Sequence, residues 1–360
     1  MTAHQTIRPN PGILDIEAYV GGASTLAGAN RTIKLSANEN PLGPSPKAMA
    51  AYRDLADTLH RYPGTGLELR EAIADVHGLD AAQIVCGAGS DEIIALLIKA
   101  YVGVGEEVLY PEHGFTMFRL STMAVGGRPM TAPEANLTTD IDALIDRLGP
   151  KTKIVFVANP NNPTGTMIGG DGLRRLADAL PAHTLLVLDG AYAEYLSPTE
   201  SDGAIDIVRE RDNVVMTRTF SKIHGLAALR LGWCYGPPHV IDVLNRIRGP
   251  FNVTLPAQAA GEAAIRDQGY VEHCRITNEV WRDWLTKEVR ASGFDVTPSH
   301  ANFILVRTGA ETDAVDQALK ARGLIARRVD EYGLHEHIRI SIGDESACRD
   351  VAQVFRSLAG

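Results

Sequence analysis

The chain has 360 residues, 45% of them hydrophobic and 22% charged, which is too long for one small module and ordinary for a folded globular protein. Its 34 glycines and 19 prolines stay well below the ~25–30% of low-complexity chains. The net charge of −9, with no basic run, argues against a general nucleic-acid or anionic-membrane surface but leaves room for a local anion pocket.

Cys86, Cys234, Cys274 and Cys348 are scattered with no CxxC pair, which points to free thiols in a reducing compartment and away from a zinc cluster. The opening residues lack a basic start followed by an apolar run, and the most apolar stretch, 93–104, is broken by Lys99. Neither a secretory signal nor a membrane span is expected, and a cytoplasmic location is. Residues 1–40 read as irregular; from there on, short apolar runs alternate with amphipathic stretches, the pattern of βαβ units on a mainly parallel sheet. Strands are predicted at 83–86, 107–110, 153–158, 185–188, 214–217 and 231–235, with helices such as 92–101 and 173–180 between them. After residue 250 the pattern changes. Segments 258–268 and 271–292 read as successive helices, followed by strands at 302–306, 324–328 and 337–342 and a helix at 313–321. The expectation is an α/β fold with a large domain over 45–250 and a smaller α+β domain made by 1–44 with 251–360.

Four segments carry chemistry. Lys222 follows a strand, has Ser221 before it and Arg230 after it, and could form a Schiff base beside an anion site; a lone lysine would far more often be a solvated surface residue, so the case rests on what accompanies it. Asn159-Pro160-Asn161-Asn162-Pro163-Thr164-Gly165 makes a turn at the carboxyl end of a strand, where open α/β sheets bind ligands. Asp189 ends another apolar run, with Tyr192 three residues on. An acid there can hold a proton on a pyridine nitrogen, or simply cap a helix. Gly87-Ala88-Gly89-Ser90 opens the helix at 92–101, and small residues there let backbone N–H groups approach a phosphate. Asp91 and Glu92 would repel a phosphate unless they point away or a cation such as Arg230 compensates.

Taken together and in this order, these segments resemble the fold type I pyridoxal-phosphate aminotransferases, most closely the histidinol-phosphate aminotransferase family. The resemblance rests on Asn38-Glu39-Asn40-Pro41, Arg61-Tyr62-Pro63, Gly87 to Glu92, Asn161 to Gly165, Asp189 to Tyr192, Ser221-Lys222, Arg230 and Ile338-Arg339-Ile340-Ser341. It implies pyridoxal 5'-phosphate as cofactor and a ping-pong transfer between an amino donor and a 2-oxo acid. By position, Lys222 would hold the cofactor and shuttle a proton, and Asp189 would keep the ring nitrogen protonated. Asn162 and Tyr192 would bind the phenolic oxygen, while Gly89, Ser90, Asp91, Ser221 and Arg230 would hold the phosphate. The resemblance also implies a homodimer in which Tyr62 of the second copy completes the phosphate site. Arg339 would grip a carboxylate, and Tyr19, Asn40 and Arg327 would face the rest of the substrate, with Arg327 meeting a substrate phosphate. Two positions depart from the pattern: His113 stands where an aromatic residue usually stacks on the ring, and Gly190 where glutamate is usual. An aromatic amino-acid aminotransferase, a decarboxylase of a phosphorylated amino acid and a non-catalytic binder are the competing readings.

Overall fold

The computed structural model describes Pro9, residues 11–17, 25–26 and 31–359. Its larger sheet has seven strands in the order Ile84–Gly87, Gly232–Tyr235, Val214–Thr219, Leu185–Asp189, Thr152–Ala158, Glu107–Pro111 and Arg128–Ala132. The last five are parallel, whereas Gly232–Tyr235 runs antiparallel to both of its neighbours. Successive side chains of a strand point to opposite faces, so Val155, Val157, Leu186 and Leu188 enter one buried cluster. Ile154, Phe156, Leu185 and Val187 enter another on the other face. Burial on both faces is why these strands read as unbroken apolar runs. Arg128–Ala132 lay outside the predicted strands because it is a half-exposed edge strand containing Pro129, and it carries no such run.

A smaller sheet orders Asp295–Val296, Phe303–Arg307, His337–Ser341 and Arg327–Arg328, all antiparallel. The single strand predicted over 324–328 is divided between two sheets. Leu324–Ile325 pairs in parallel with Ile33–Lys34, and Arg327–Arg328 pairs with His337–Ser341. Pairing with a segment about 290 residues away in sequence leaves no trace in local periodicity. The helices Leu255–Arg266 and Gln268–Ala291 follow one another with no strand between, as predicted, and Thr254 caps the first by accepting the Ala257 N–H at 3.3 Å. Among the described residues no helix is long and apolar enough to cross a membrane.

Candidate active site

The parallel strands end where the chemistry-bearing motifs begin, and a cavity at those ends is lined by Asp189, Tyr192, Asn162, Ser221, Lys222 and Arg230, among others. Asp189, 4% exposed, is the last residue of its strand, and its Oδ1 accepts the Thr217 hydroxyl at 3.1 Å from the neighbouring strand. Burial raises its pKa to about 6, against the lowering effect of that hydrogen bond. Lys222 lies just past the end of Val214–Thr219; its Nζ donates to the Ala37 carbonyl at 3.0 Å. Burial, helped by the Arg339 charge, lowers its pKa to about 8. Tyr192 is buried, stands edge-on to Phe303 and accepts the Asn38 amide N–H at 2.9 Å; burial pushes its phenol up to about 12.

At the other end of the cavity, helix Ser90–Tyr101 begins after Gly89. Gly89 has a φ of +87°, and a Cβ there would lie 2.7 Å from Arg230 Nη2, so the position demands glycine. The two first-turn carboxylates are both accounted for. Glu92 turns away to the Ala88 N–H at 2.6 Å and the Asn252 amide at 2.7 Å, whereas Asp91 pairs with Arg230 at 3.0 Å. Arg230 also donates to Ser221 Oγ at 3.3 Å. Backbone amides, hydroxyls and a guanidinium thus converge on one small region of the cavity.

Arg339, 6% exposed, reaches this region from the smaller sheet. It donates to Asn162 Oδ1 and to the Ser36 carbonyl, the latter at 2.6 Å. Arg327 lies directly across from it in register and pairs with Glu331 at 2.5 Å. Asn40 donates to the Ile223 carbonyl at 2.7 Å and so braces the lysine loop from outside the cavity. Tyr62 stands elsewhere, 80% exposed and stacked on Phe251 with centroids 4.6 Å apart, beside a second cavity lined in part by Gly66, Arg70 and Arg248. Tyr19 lies outside the described residues.

The two departures from the family pattern each have a local setting. His113 does not line the cavity: its ring Nδ1 lies 2.8 Å from Glu134 Oε2, and its backbone N–H donates to the same carboxylate at 3.2 Å. The aromatic wall is Phe115, two residues on, at the N-cap of helix Thr116–Ala124. The turn after Glu107–Pro111 sets which of the two side chains faces inward. Gly190 has a physical reason. A Cβ there would sit 3.0 Å from three atoms of the Arg218 guanidinium, which fills that space and pairs with Asp202 at 2.7 Å, both side chains under 10% exposed. Sequence reading also missed Asn38 and Thr217, whose hydrogen bonds go to distant or cross-strand partners, and Thr219, whose hydroxyl accepts the Ser221 N–H at 3.1 Å.

The sequence profile of the family "Aminotransferase class I and II" matches residues 30–355. A histidinol-phosphate aminotransferase of Dinoroseobacter shibae is 56% identical over 359 residues, spanning 98% of this chain and 99% of its own. Another from a Ruegeria species is 54% identical, spanning 97% of each chain. Among solved structures, a Sinorhizobium meliloti histidinol-phosphate aminotransferase in complex with pyridoxal-5'-phosphate superposes with a TM-score of 0.89 at 29% identity, covering 99% of this chain and all of its own. By sequence over nearly its full length and by fold, the chain belongs to the class I and II aminotransferases and, within them, to the histidinol-phosphate aminotransferase family.

Proposed function

We propose that the chain moves the amino group of histidinol phosphate to 2-oxoglutarate, yielding imidazole-acetol phosphate and glutamate by a ping-pong route in histidine biosynthesis. The observation that carries this reading is one cavity holding a lysine of lowered pKa, a buried strand-end carboxylate and an anion cradle, with Arg339 reaching it from the smaller sheet. Pyridoxal phosphate fits this donor set. The space left by the missing Cβ of Gly89, with Ser90, Asp91 N–H, Ser221 and Arg230, suits the phosphate dianion. Asp189, ionised above pH about 6, suits a protonated ring nitrogen. Asn162 and Tyr192 suit the ring oxygen, and Phe115 the ring face.

When bound, the cofactor supplies an electron sink that lets the Cα–H of an amino donor ionise. Lys222 Nζ takes and returns that proton, and its lowered pKa keeps a neutral fraction available near pH 7. Arg339 offers a planar fork to the carboxylate of glutamate or 2-oxoglutarate. Arg327, opposite it in register, exchanges Glu331 for the phosphate of the other substrate. Tyr62 serves the phosphate site of a second copy, a homodimer supported by the exposed apolar set of Leu59, Tyr62, Leu67 and Phe251. The division proposed is a large unit over 45–250 and a small one made by the rest, supported by a separate multi-stranded sheet among the described residues of each, with helix Leu255–Arg266 packing into the core of the large one; four free thiols suit a cytoplasmic enzyme.

Steady-state rates with histidinol phosphate, phenylalanine and tyrosine as donors to 2-oxoglutarate test the reading. Histidinol phosphate is expected to lead in kcat/KM, and Arg327→Ala to cost it at least about tenfold while sparing phenylalanine. Equal losses for both donors would remove the phosphate role of Arg327. Release of carbon dioxide would instead mark a decarboxylase.

A further inference from the structure

The segment after Ile33–Lys34 wires the site together residue by residue. The Ser36 carbonyl accepts from Arg339, the Ala37 carbonyl from Lys222, and the Asn38 amide donates to Tyr192. Asn38 is 1% exposed and has a φ of +56°, a conformation that asparagine tolerates better than most residues. Every polar group it carries is engaged. Its N–H donates to Ser341 Oγ at 2.8 Å, its carbonyl accepts from Asn302 at 2.9 Å, and its Oδ1 accepts the Ser341 hydroxyl at 3.0 Å. With Oδ1 so occupied, the amide presents its NH2 to Tyr192.

A phenol oxygen that accepts from an amide directs its own O–H elsewhere, and among the described residues no acceptor takes that hydrogen. Tyr192 lines the cavity, so the free direction is inward. Asn162 is polarised the same way, because Arg339 occupies its Oδ1 and leaves its NH2 available. We propose that Asn38 is a positioning residue that turns the Tyr192 hydroxyl into a donor toward the cavity, so that Tyr192 and Asn162 together select a ligand ring oxygen in its ionised form. This inference rests on the pyridoxal-phosphate reading above and assigns a residue that does not itself touch the cofactor.

The test uses the holoenzyme and the variants Asn38→Asp and Asn38→Gly, each made in the wild-type chain and in Tyr192→Phe. A carboxylate at position 38 cannot donate; it accepts the Tyr192 hydrogen instead and turns a lone pair toward the cavity. Glycine suits the left-handed backbone and removes the donor to Tyr192 together with the acceptor of the Ser341 hydroxyl. Retention of pyridoxal phosphate on dialysis, the pH midpoint of the bound cofactor's absorbance and Tm are measured. Asn38→Asp should weaken retention about tenfold and raise the midpoint, Asn38→Gly should weaken it about threefold, and both effects should shrink to less than about twofold in Tyr192→Phe. Equal losses with and without the Tyr192 hydroxyl would mark Asn38 as purely structural and overturn the proposal, as would unchanged retention in Asn38→Asp. A wild-type chain that binds no pyridoxal phosphate would overturn the functional reading instead.

Discussion

Replacing Asp202 by asparagine isolates the buried ion pair that occupies the space beside Gly190. Arg218 Nη2 and Asp202 Oδ2 are 2.7 Å apart, and both side chains are almost fully enclosed. At the ~4 Å between charge centres in such a contact, an effective dielectric of about 20 gives roughly 4 kcal/mol of attraction. Asparagine retains the shape and one acceptor, so what is lost is mainly the charge that offsets the desolvated guanidinium. Breaking one side of a buried pair typically costs ~3–5 kcal/mol, and about 3 kcal/mol is expected here. Asp178→Asn, which removes the partner of the exposed Arg211, supplies the contrast at under ~1 kcal/mol. Urea unfolding of the apoprotein followed by tryptophan fluorescence reads the effect locally, because Trp233 lies across from Arg218 in register and packs on His77. The double variant Arg218→Met with Asp202→Leu should recover most of the loss, since it leaves no buried charge. If Asp202→Asn costs no more than Asp178→Asn, the pair does not stabilise the fold in the way its burial implies.

Three further outcomes follow from the site. Burial raises the Asp189 pKa from 3.8 to about 6, so its contribution to apoprotein stability is full below pH 3.8 and is lost as the pH rises through about 6. The loss should be ~2–3 kcal/mol. Asp189→Asn should flatten that limb of a stability–pH curve, and an unchanged curve would contradict the assignment. For Lys222, lowered from 10.5 to about 8, covalent uptake of pyridoxal phosphate should quicken with pH around a midpoint near 8 and vanish in Lys222→Ala; a midpoint above 10 would mean the amine is not desolvated. Phe115→Ala should weaken cofactor retention about tenfold, whereas His113→Ala should change it far less, because only Phe115 lines the cavity. The opposite order would restore the stacking role to His113.

The sequence by itself determined the parallel sheet, because strands buried on both faces must be apolar throughout, and 153–158 and 185–188 need no long-range information to show it. It also singled out Lys222, Asp189, Tyr192, Asn162 and Arg230 from short contiguous motifs, and the fold brings these five to one cavity. What only the tertiary structure decided are relations between distant segments. Phe115 rather than His113 faces the cavity because a turn orients them, and Glu134, from a separate hairpin, captures the histidine. Leu324–Ile325 and Arg327–Arg328 separate because Ile33–Lys34 pairs with the first. Gly190 is explained by Arg218 on the next strand, and Asn38 by a tyrosine 154 residues away. Periodicity and motif spacing report local backbone and burial; hydrogen-bond polarity and steric exclusion depend on partners that only the folded chain brings within a few ångströms.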